Sequence, residues 1–183
     1  MKLNIGIFLG SKFGKGENFN NLVKDLSKLI NQTGHNVIYG GTETGLMGEL
    51  VKNVNDKIKV TAIITKKLIN DHNDLKYFSE LIITKNLKQR TDQFILKSDV
   101  FIALPGGIGT LYEFIEIVNK RILDETTKKI YLINENNYWQ PLIKLFKHMV
   151  NEKFLNKQTI FESFEIIKFN ELEERLKNGK NFC

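Results

Sequence analysis

Short runs of consecutive apolar residues alternate with longer amphipathic segments along most of the chain. An apolar run of about four to eight residues is typical of a strand buried on both faces, whereas apolar residues spaced three and four apart are typical of a helix. These patterns predict strands at 3–9, 36–39, 59–65, 81–83, 99–104, 129–133 and within 161–169. They predict helices at 19–32, after the turn at 40–48, at 87–97, from the turn at 105–113 to residue 120, and at 138–150 and 172–177.

The regular alternation predicts a single α/β domain over residues 1–183. Strands that alternate with helices pair in parallel, because each helix returns the chain to the same end of the sheet. We therefore predict a Rossmann-like, doubly wound parallel sheet of about six to seven strands with helices on both faces. The polar segment 66–78 shows neither pattern and is predicted to be an irregular, mobile loop over a site.

The densest glycine cluster lies directly after the predicted strand at 99–104, in the segment Pro105-Gly106-Gly107-Ile108-Gly109-Thr110-Leu111-Tyr112-Glu113. Its three glycines carry no Cβ atom, so the backbone can approach a ligand closely. The helix that starts in this segment offers free N–H groups and the positive end of its dipole, which favour an anion such as phosphate. The candidate phosphate-binding residues are Gly106, Gly107, Gly109 and Thr110.

Two more glycine turns follow predicted strands directly, Gly10-Ser11 after the first strand and Gly40-Gly41 after the second. In a parallel sheet, ligands bind beyond the carboxyl ends of the strands, so we expect these turns to converge with residues 106–110. The loop after Gly10 lacks the P-loop spacing. Tyr112 stands where a dinucleotide fingerprint needs its third glycine, which argues against a nicotinamide or flavin cofactor.

Three charged side chains are candidates for the chemistry. Glu113 and Glu116 lie three residues apart and can face the same side of a helix, and Arg90 can donate to a phosphate. Each has a structural alternative that spacing leaves open. Thr110 and Glu113 have the spacing of a capping box. Glu116 can pair with Lys120 on the helix surface, and Arg90 can be a solvated helix residue.

Composition narrows the class of protein. With 42% hydrophobic and 26% charged residues, the chain has the composition of an ordinary globular domain. Its net charge of +6 is spread along the sequence without a block of like charges. No basic stripe of the kind that binds nucleic acid is seen. The single cysteine, Cys183, excludes an internal disulfide and a cysteine-based zinc site, and the histidines lack metal-ligand spacing. Without an apolar run of ~18 residues or a signal-peptide pattern, we expect a cytoplasmic protein that binds no membrane.

The segment 105–113 resembles the Pro-Gly-Gly-x-Gly-Thr-x-x-Glu signature of the Lonely Guy (LOG) family, phosphoribohydrolases that activate cytokinins. Arg90 precedes the segment 98–105 as that family's arginine does. Further segments resemble the family in order, namely Phe8-Leu9-Gly10-Ser11, Tyr39-Gly40-Gly41, Gly45-Leu46-Met47-Gly48 and Asn137-Tyr138-Trp139. The likeness covers about residues 3–155. Two departures bear on base preference. The stretch Lys88-Gln89-Arg90-Thr91 differs from the His and Lys that the family commonly shows around its arginine, and Thr65 replaces a usual proline.

The resemblance implies an enzyme that hydrolyses the N-glycosidic bond of a nucleoside 5′-monophosphate, such as AMP or a cytokinin riboside monophosphate, and releases the free base and ribose 5-phosphate. Arg90 and Glu113 would be catalytic. The substrate-binding residues would be Gly10, Ser11, Gly40, Gly41, Met47, Gly106, Gly107, Gly109, Thr110 and Glu116. No cofactor or metal is expected, and the family's dimers, whose sites borrow from the partner chain, lead us to expect a homodimer.

The glycine loop would equally serve a protein of another class. A non-catalytic carrier or sensor of a phosphorylated ligand, either a nucleotide or the molybdenum cofactor, is therefore the alternative, and the combination of Arg90 with Glu113 favours the enzyme. Tyr138 and Trp139 are expected to be core or subunit contacts rather than site residues.

Overall fold

Seven parallel strands form one sheet in the computed structural model, which describes residues 2–69 and 76–178. The strands are β1 (Asn4–Phe8), β2 (Asn36–Tyr39), β3 (Val60–Thr65), β4 (Glu80–Thr84), β5 (Val100–Ala103), β6 (Lys129–Ile133) and β7 (Glu165–Ile167). Their order across the sheet is β4-β3-β2-β1-β5-β6-β7. The chain therefore winds in one direction from β1 to β4 and in the other from β5 to β7, which places the switch point between β1 and β5.

Eight α-helices connect and flank these strands in the described ranges. They are α1 (Asn18–Thr33), α2 (Gly45–Lys52), α3 (Lys66–Ile69), α4 (Leu87–Lys97), α5 (Ile108–Ile122), α6 (Gln140–Asn151), α7 (Lys157–Glu162) and α8 (Phe169–Asn178), and a short 3₁₀ turn lies at Glu135–Asn137. No helix in these ranges is both long and apolar enough to cross a membrane.

The sheet is buried on both faces, because successive side chains of a strand point to opposite sides. In β1, Ile5 and Ile7 pack with apolar residues of α1, α2 and α8, whereas Phe8 packs on the other side with residues of α4, α5, α6 and α7. The predicted Rossmann-like sheet with helices on both faces is therefore confirmed. The continuous apolar run of β5 and the mostly apolar residues of β1 and β3 follow directly from this double burial.

Two elements differ from the sequence prediction. Lys66–Ile69 forms one helical turn directly after β3, where an irregular loop was expected, while residues 70–75 of that loop lie outside the described residues, as do His72 and Cys183. The helix α7 was not predicted, because its six residues are too few to show a helical period. Its start is set by Asn156, whose side chain accepts the backbone N–H of Thr159 at 3.0 Å.

A buried histidine links the first strand to the last helix. Nδ1 of His35 accepts the N–H of Leu3 at 3.2 Å, and its Nε2 lies 3.3 Å from the carbonyl oxygen of Leu176. These contacts require the neutral ring with its proton on Nε2, because a protonated Nδ1 cannot accept. Burial lowers the pKa of His35 below its usual value.

This lowered pKa predicts a loss of stability in mild acid. The unfolded chain binds a proton at the ordinary histidine pKa, so the contribution of His35 is complete above about pH 6.5 and is lost as the pH falls through the lower folded pKa. Urea unfolding at pH 7, 6 and 5 should therefore show a smaller fall in the free energy of unfolding for His35→Gln than for the unmodified protein. Equal falls in both proteins would contradict this assignment.

Candidate active site

A cleft of about 760 Å³ opens at the carboxyl edge of the sheet, beside the switch point between β1 and β5. The loops after β1, β2 and β5 line it together, as the positions of the glycine turns led us to expect. Ten of the residues named from the sequence lie on its wall, namely Gly10, Ser11, Gly40, Met47, Arg90, Gly106, Gly107, Gly109, Thr110 and Glu113.

Two of the predicted site residues do not reach the cleft wall. Gly41 has a left-handed backbone with φ +81°, and a Cβ atom there would lie 2.9 Å from Cβ of Ile64, so this glycine serves the turn against β3. Oε2 of Glu116 accepts the hydroxyl of Thr91 at 2.5 Å, which joins α5 to α4. Nζ of Lys120 lies 2.7 Å from Oε2 of Glu125. The alternative in which Glu116 pairs with Lys120 on the helix surface is therefore not observed.

Backbone hydrogen bonds hold the three turns together. The N–H of Gly10 donates to the carbonyl of Pro105 at 3.2 Å, and the N–H of Met47 donates to the carbonyl of Gly10 at 3.2 Å. A Cβ atom on Gly106 would lie 2.9 Å from the nitrogen of Gly10 and 2.2 Å from Oγ1 of Thr110. A side chain at position 106 would therefore push the turns apart, which explains why glycine stands there.

The start of α5 shows which of the two alternatives for Thr110 and Glu113 is correct. The helix begins at Ile108 with Gly107 as its N-cap residue, so Thr110 lies within the first turn and is not the cap. The capping-box interpretation is therefore wrong. The first N–H groups of α5 lack intrahelical partners. Cβ atoms at Gly107 and Gly109 would meet no other part of the protein within 4 Å beyond their own chain neighbours and local helix backbone, so the backbone is open to a ligand at these residues.

Arg90 on α4 is buried. The alternative interpretation of Arg90 as a solvated helix residue is therefore also wrong. Its Nε donates to the carbonyl of Ile63 at 2.8 Å, its Nη2 donates to the carbonyl of Gly40 at 3.3 Å, and its Nη1 donates to Oε1 of Glu113. The guanidinium carbon also lies 5.3 Å from the centre of the Phe94 ring. Residues of β3, of the turn after β2 and of α5 thus fix one cation at the cleft wall.

The Arg90–Glu113 ion pair is largely removed from water, with side chains 10% and 13% exposed. Burial raises the pKa of Glu113 above its ordinary value, while the charge and hydrogen bond of Arg90 oppose the rise and the nearby Glu116 adds to it. A carboxyl group with a raised pKa in a cleft is a stronger proton acceptor than an ordinary carboxylate. Glu113 is therefore the acid–base candidate of this site.

Several cleft residues were missed by the sequence analysis, notably Phe13, Phe19, Leu68 and Tyr138. Phe13 and Leu68 carry no pattern that separates them from ordinary apolar loop residues. Tyr138 was expected in the core or at a subunit contact, but it lines the cleft, whereas Trp139 beside it is buried in the core as expected. Among the described residues, no group of three His, Cys, Asp or Glu side chains could hold a metal ion.

Fold and cleft together define a Rossmann-like α/β protein with its candidate site at the switch point of the sheet. Residues 47–176 match the model of a family described as "Possible lysine decarboxylase". The chain belongs to this family, the Lonely Guy (LOG) family, whose curated relatives are named as phosphoribohydrolase enzymes.

Three relatives show the extent of the match. The chain is 30% identical to the cytokinin riboside 5′-monophosphate phosphoribohydrolase of Rhodococcoides fascians, covering 85% of this chain and 80% of the relative. It is 30% identical to an enzyme of that name from Arabidopsis thaliana, covering 95% and 77%. It is 31% identical to a probable enzyme of that name from Oryza sativa subsp. japonica, covering 83% of this chain and 66% of the relative's length.

Solved structures confirm the fold. The molybdenum cofactor carrier protein of Chlamydomonas reinhardtii superposes with a TM-score of 0.68 at 18% identity, covering 97% of this chain and 98% of that protein. The molybdenum cofactor binding protein of Rippkaea orientalis superposes with a TM-score of 0.64 at 20% identity, covering 97% of each chain. At such identities the likeness extends to the fold alone.

The buried ion pair predicts strong coupling between its two members. Arg90→Met would leave the Glu113 carboxyl buried without its cation and should lower the free energy of unfolding by about 3–5 kcal/mol. Adding Glu113→Gln should recover part of this loss, since the uncompensated charge is then removed. Urea unfolding of the two single variants and the double variant measures the coupling.

Lys88→Met provides the matched control on α4. Lys88 forms an exposed ion pair with Asp92 at 3.0 Å, so its loss should cost less than about 1 kcal/mol. Additive effects of Arg90→Met and Glu113→Gln would show that the two residues do not act as a pair.

Proposed function

We propose that this protein hydrolyses the N-glycosidic bond of a nucleoside 5′-monophosphate to give the free base and ribose 5-phosphate. The observation that carries the proposal is the Arg90–Glu113 pair beside the amide-rich start of α5, within a single cleft. The names of two relatives support a cytokinin riboside 5′-monophosphate as the substrate. A monophosphate similar to AMP carries the same phosphorylated sugar and belongs to the same proposal.

The 5′-phosphate would bind at residues 106–110. The unpartnered N–H groups at the start of α5 and the positive end of its dipole attract an anion, and the Thr110 hydroxyl can donate a further hydrogen bond. The open space beside Gly107 and Gly109 would let the phosphate approach this backbone closely. Gly10 and Ser11 close the cleft on the β1 side and would contact the same end of the substrate.

Glu113 would act on the ribose. The bond between C1′ and the base nitrogen breaks, the bonding electrons leave with the base, and positive charge develops on the sugar. The Glu113 carboxylate stabilises this charge and accepts a proton from the water whose oxygen bonds to C1′, while the departing base takes up a proton from solvent.

Arg90 would hold Glu113 in place for this step. A guanidinium group has five N–H donors, and the contacts to Ile63, Gly40 and Glu113 use three of them within the described part of the chain. The remaining donors can face the substrate from the cleft wall, which Arg90 lines.

A homodimer belongs to the same proposal. Ile108 and Tyr112 lie one turn apart at the start of α5 and are 82% and 44% exposed. Apolar side chains this exposed beside a cleft support contact with a second copy of the chain.

The proposal predicts release of free base from a panel of nucleoside 5′-monophosphates, measured by chromatography. Glu113→Gln should reduce kcat by about 10²- to 10³-fold, because a neutral amide neither stabilises the sugar charge nor accepts the proton. Glu125→Gln is the control, an exposed carboxyl just beyond the end of the same helix, and it should retain full activity. Binding of monophosphates without release of base would overturn the hydrolase and favour a carrier.

A second prediction separates phosphate binding from stability. Gly109→Ala places a methyl group into the open space beside the first turn of α5, where the phosphate would bind, and should weaken binding of ribose 5-phosphate. The same change should raise or preserve the melting temperature, since alanine in a helix is favoured over glycine by about 1 kcal/mol. Calorimetric titration and thermal unfolding measure the two effects, with Asn119→Ala on the exposed face of α5 as the control. Unchanged affinity would place the phosphate elsewhere.

A further inference from the structure

The hydroxyl of Tyr138 reaches the glycine loop from a neighbouring loop. Its Oη donates to the carbonyl oxygen of Gly106 at 2.5 Å. Tyr138 lines the cleft and is 37% exposed, so this hydrogen bond lies at the wall of the candidate site. The mechanism proposed above does not use Tyr138.

The topology explains how Tyr138 comes to this position. The strand β6 pairs in parallel with β5, and Leu132 lies opposite Ala103, so the loops after both strands leave the sheet side by side. Asn136 and Asn137 adopt left-handed backbone conformations with φ 51° and 57°, which turn the chain back towards the glycine loop.

Packing holds the Tyr138 ring in this orientation. The ring packs edge-on against Phe19 at 5.3 Å and against Trp139 at 4.9 Å between ring centres. The backbone N–H of Trp139 donates to Oδ1 of Asn134 at 2.8 Å, which fixes the turn that carries Tyr138. The hydroxyl is therefore presented by a rigid support, and its contact with Gly106 is not that of a freely rotating surface side chain.

The hydrogen bond acts on a peptide group that needs an external support. A trans peptide is planar, and its C=O and N–H point in opposite directions. Holding the carbonyl of Gly106 on the tyrosine side therefore directs the N–H of Gly107 to the other side. Both residues of this peptide are glycines, whose backbone rotates more freely than that of any other residue, and a Cβ at Gly107 would have no protein atom within 4 Å.

The preceding peptide is held in a similar way. The carbonyl of Pro105 accepts the N–H of Gly10 at 3.2 Å, so two consecutive carbonyls of the loop are bound by other parts of the protein. The backbone bond fixes the first of these peptides and the tyrosine hydroxyl fixes the second. Orientation of a donor before the ligand arrives lowers the entropic cost of binding.

We infer that Tyr138 is a positioning residue of the phosphate loop, which orients the Gly107 N–H towards a bound phosphate group. The inference rests on the proposed function in placing phosphate at residues 106–110. It adds that affinity for phosphate, rather than the chemical step, depends on a side chain from the loop after β6.

Tyr138→Phe tests this inference because it removes the hydroxyl and keeps the ring. Calorimetric titration with ribose 5-phosphate and with inorganic phosphate should show affinity lowered about threefold to tenfold, the loss typical of one hydrogen bond. Affinity for the free base should stay within twofold, and for a cleaved monophosphate KM should rise while kcat stays within twofold. Tyr77→Phe is the control, because it removes a hydroxyl from a tyrosine of similar exposure (43%). It should change neither the affinity for phosphate ligands nor KM.

The possible outcomes separate this inference from the proposed function. Unchanged phosphate affinity in Tyr138→Phe overturns the positioning role of Tyr138. An equal loss of affinity for phosphate and for base also overturns it, because it would indicate general disruption of the cleft. Failure of the unmodified protein to bind either phosphate ligand overturns it as well. Weaker phosphate binding in Tyr138→Phe, in a protein that cleaves no monophosphate, supports the positioning role and overturns the hydrolase.

Discussion

A guanidinium group that is removed from water must be surrounded by acceptors, and the burial of Arg90 therefore constrains the whole carboxyl edge of the sheet. Its acceptors come from β3, from the turn after β2 and from α5. A Cβ atom on Gly40 would lie 2.7 Å from Nη2, so the guanidinium fits only where that residue has no side chain. The ion pair with Glu113 thus depends on the relative positions of four elements, and a displacement of any of them would leave a buried charge uncompensated.

The two faces of the sheet contribute differently to the cleft. The helices α4 and α5, which pack on one face, supply the charged pair, whereas α2 on the opposite face begins at the turn that is bonded to the β1 loop. A Cβ atom on Gly45 at the start of α2 would lie 2.3 Å from the backbone of Ser11, so this helix also approaches too closely for a side chain. Glycines at these contacts allow helices from both faces to meet at the switch point.

The sequence was sufficient to predict the sheet and the location of the site, because apolar runs and glycine turns are local signals that double burial and close backbone approach impose. It was not sufficient where the outcome depends on distant contacts. The spacing of Thr110 and Glu113 fits a capping box, but Gly107 starts the helix earlier and Arg90 binds the carboxyl. The place of Tyr138 follows from a turn with two left-handed asparagines, which no local pattern of hydrophobicity reveals.

The charges at the cleft also bear on the choice between an enzyme and a carrier. A protein that simply holds a phosphorylated ligand needs a cation near it rather than a carboxyl group, and the burial of the Arg90–Glu113 pair costs free energy. Glu113 stands one turn beyond the amides of residues 107–110, with Glu116 a further turn along the same helix. In the proposed hydrolysis, a carboxylate there would favour the cationic sugar that forms as the glycosidic bond breaks. The cost of burying Glu113 would then be compensated in the transition state of that reaction, and in this way the ion pair supports the proposed enzyme over a carrier.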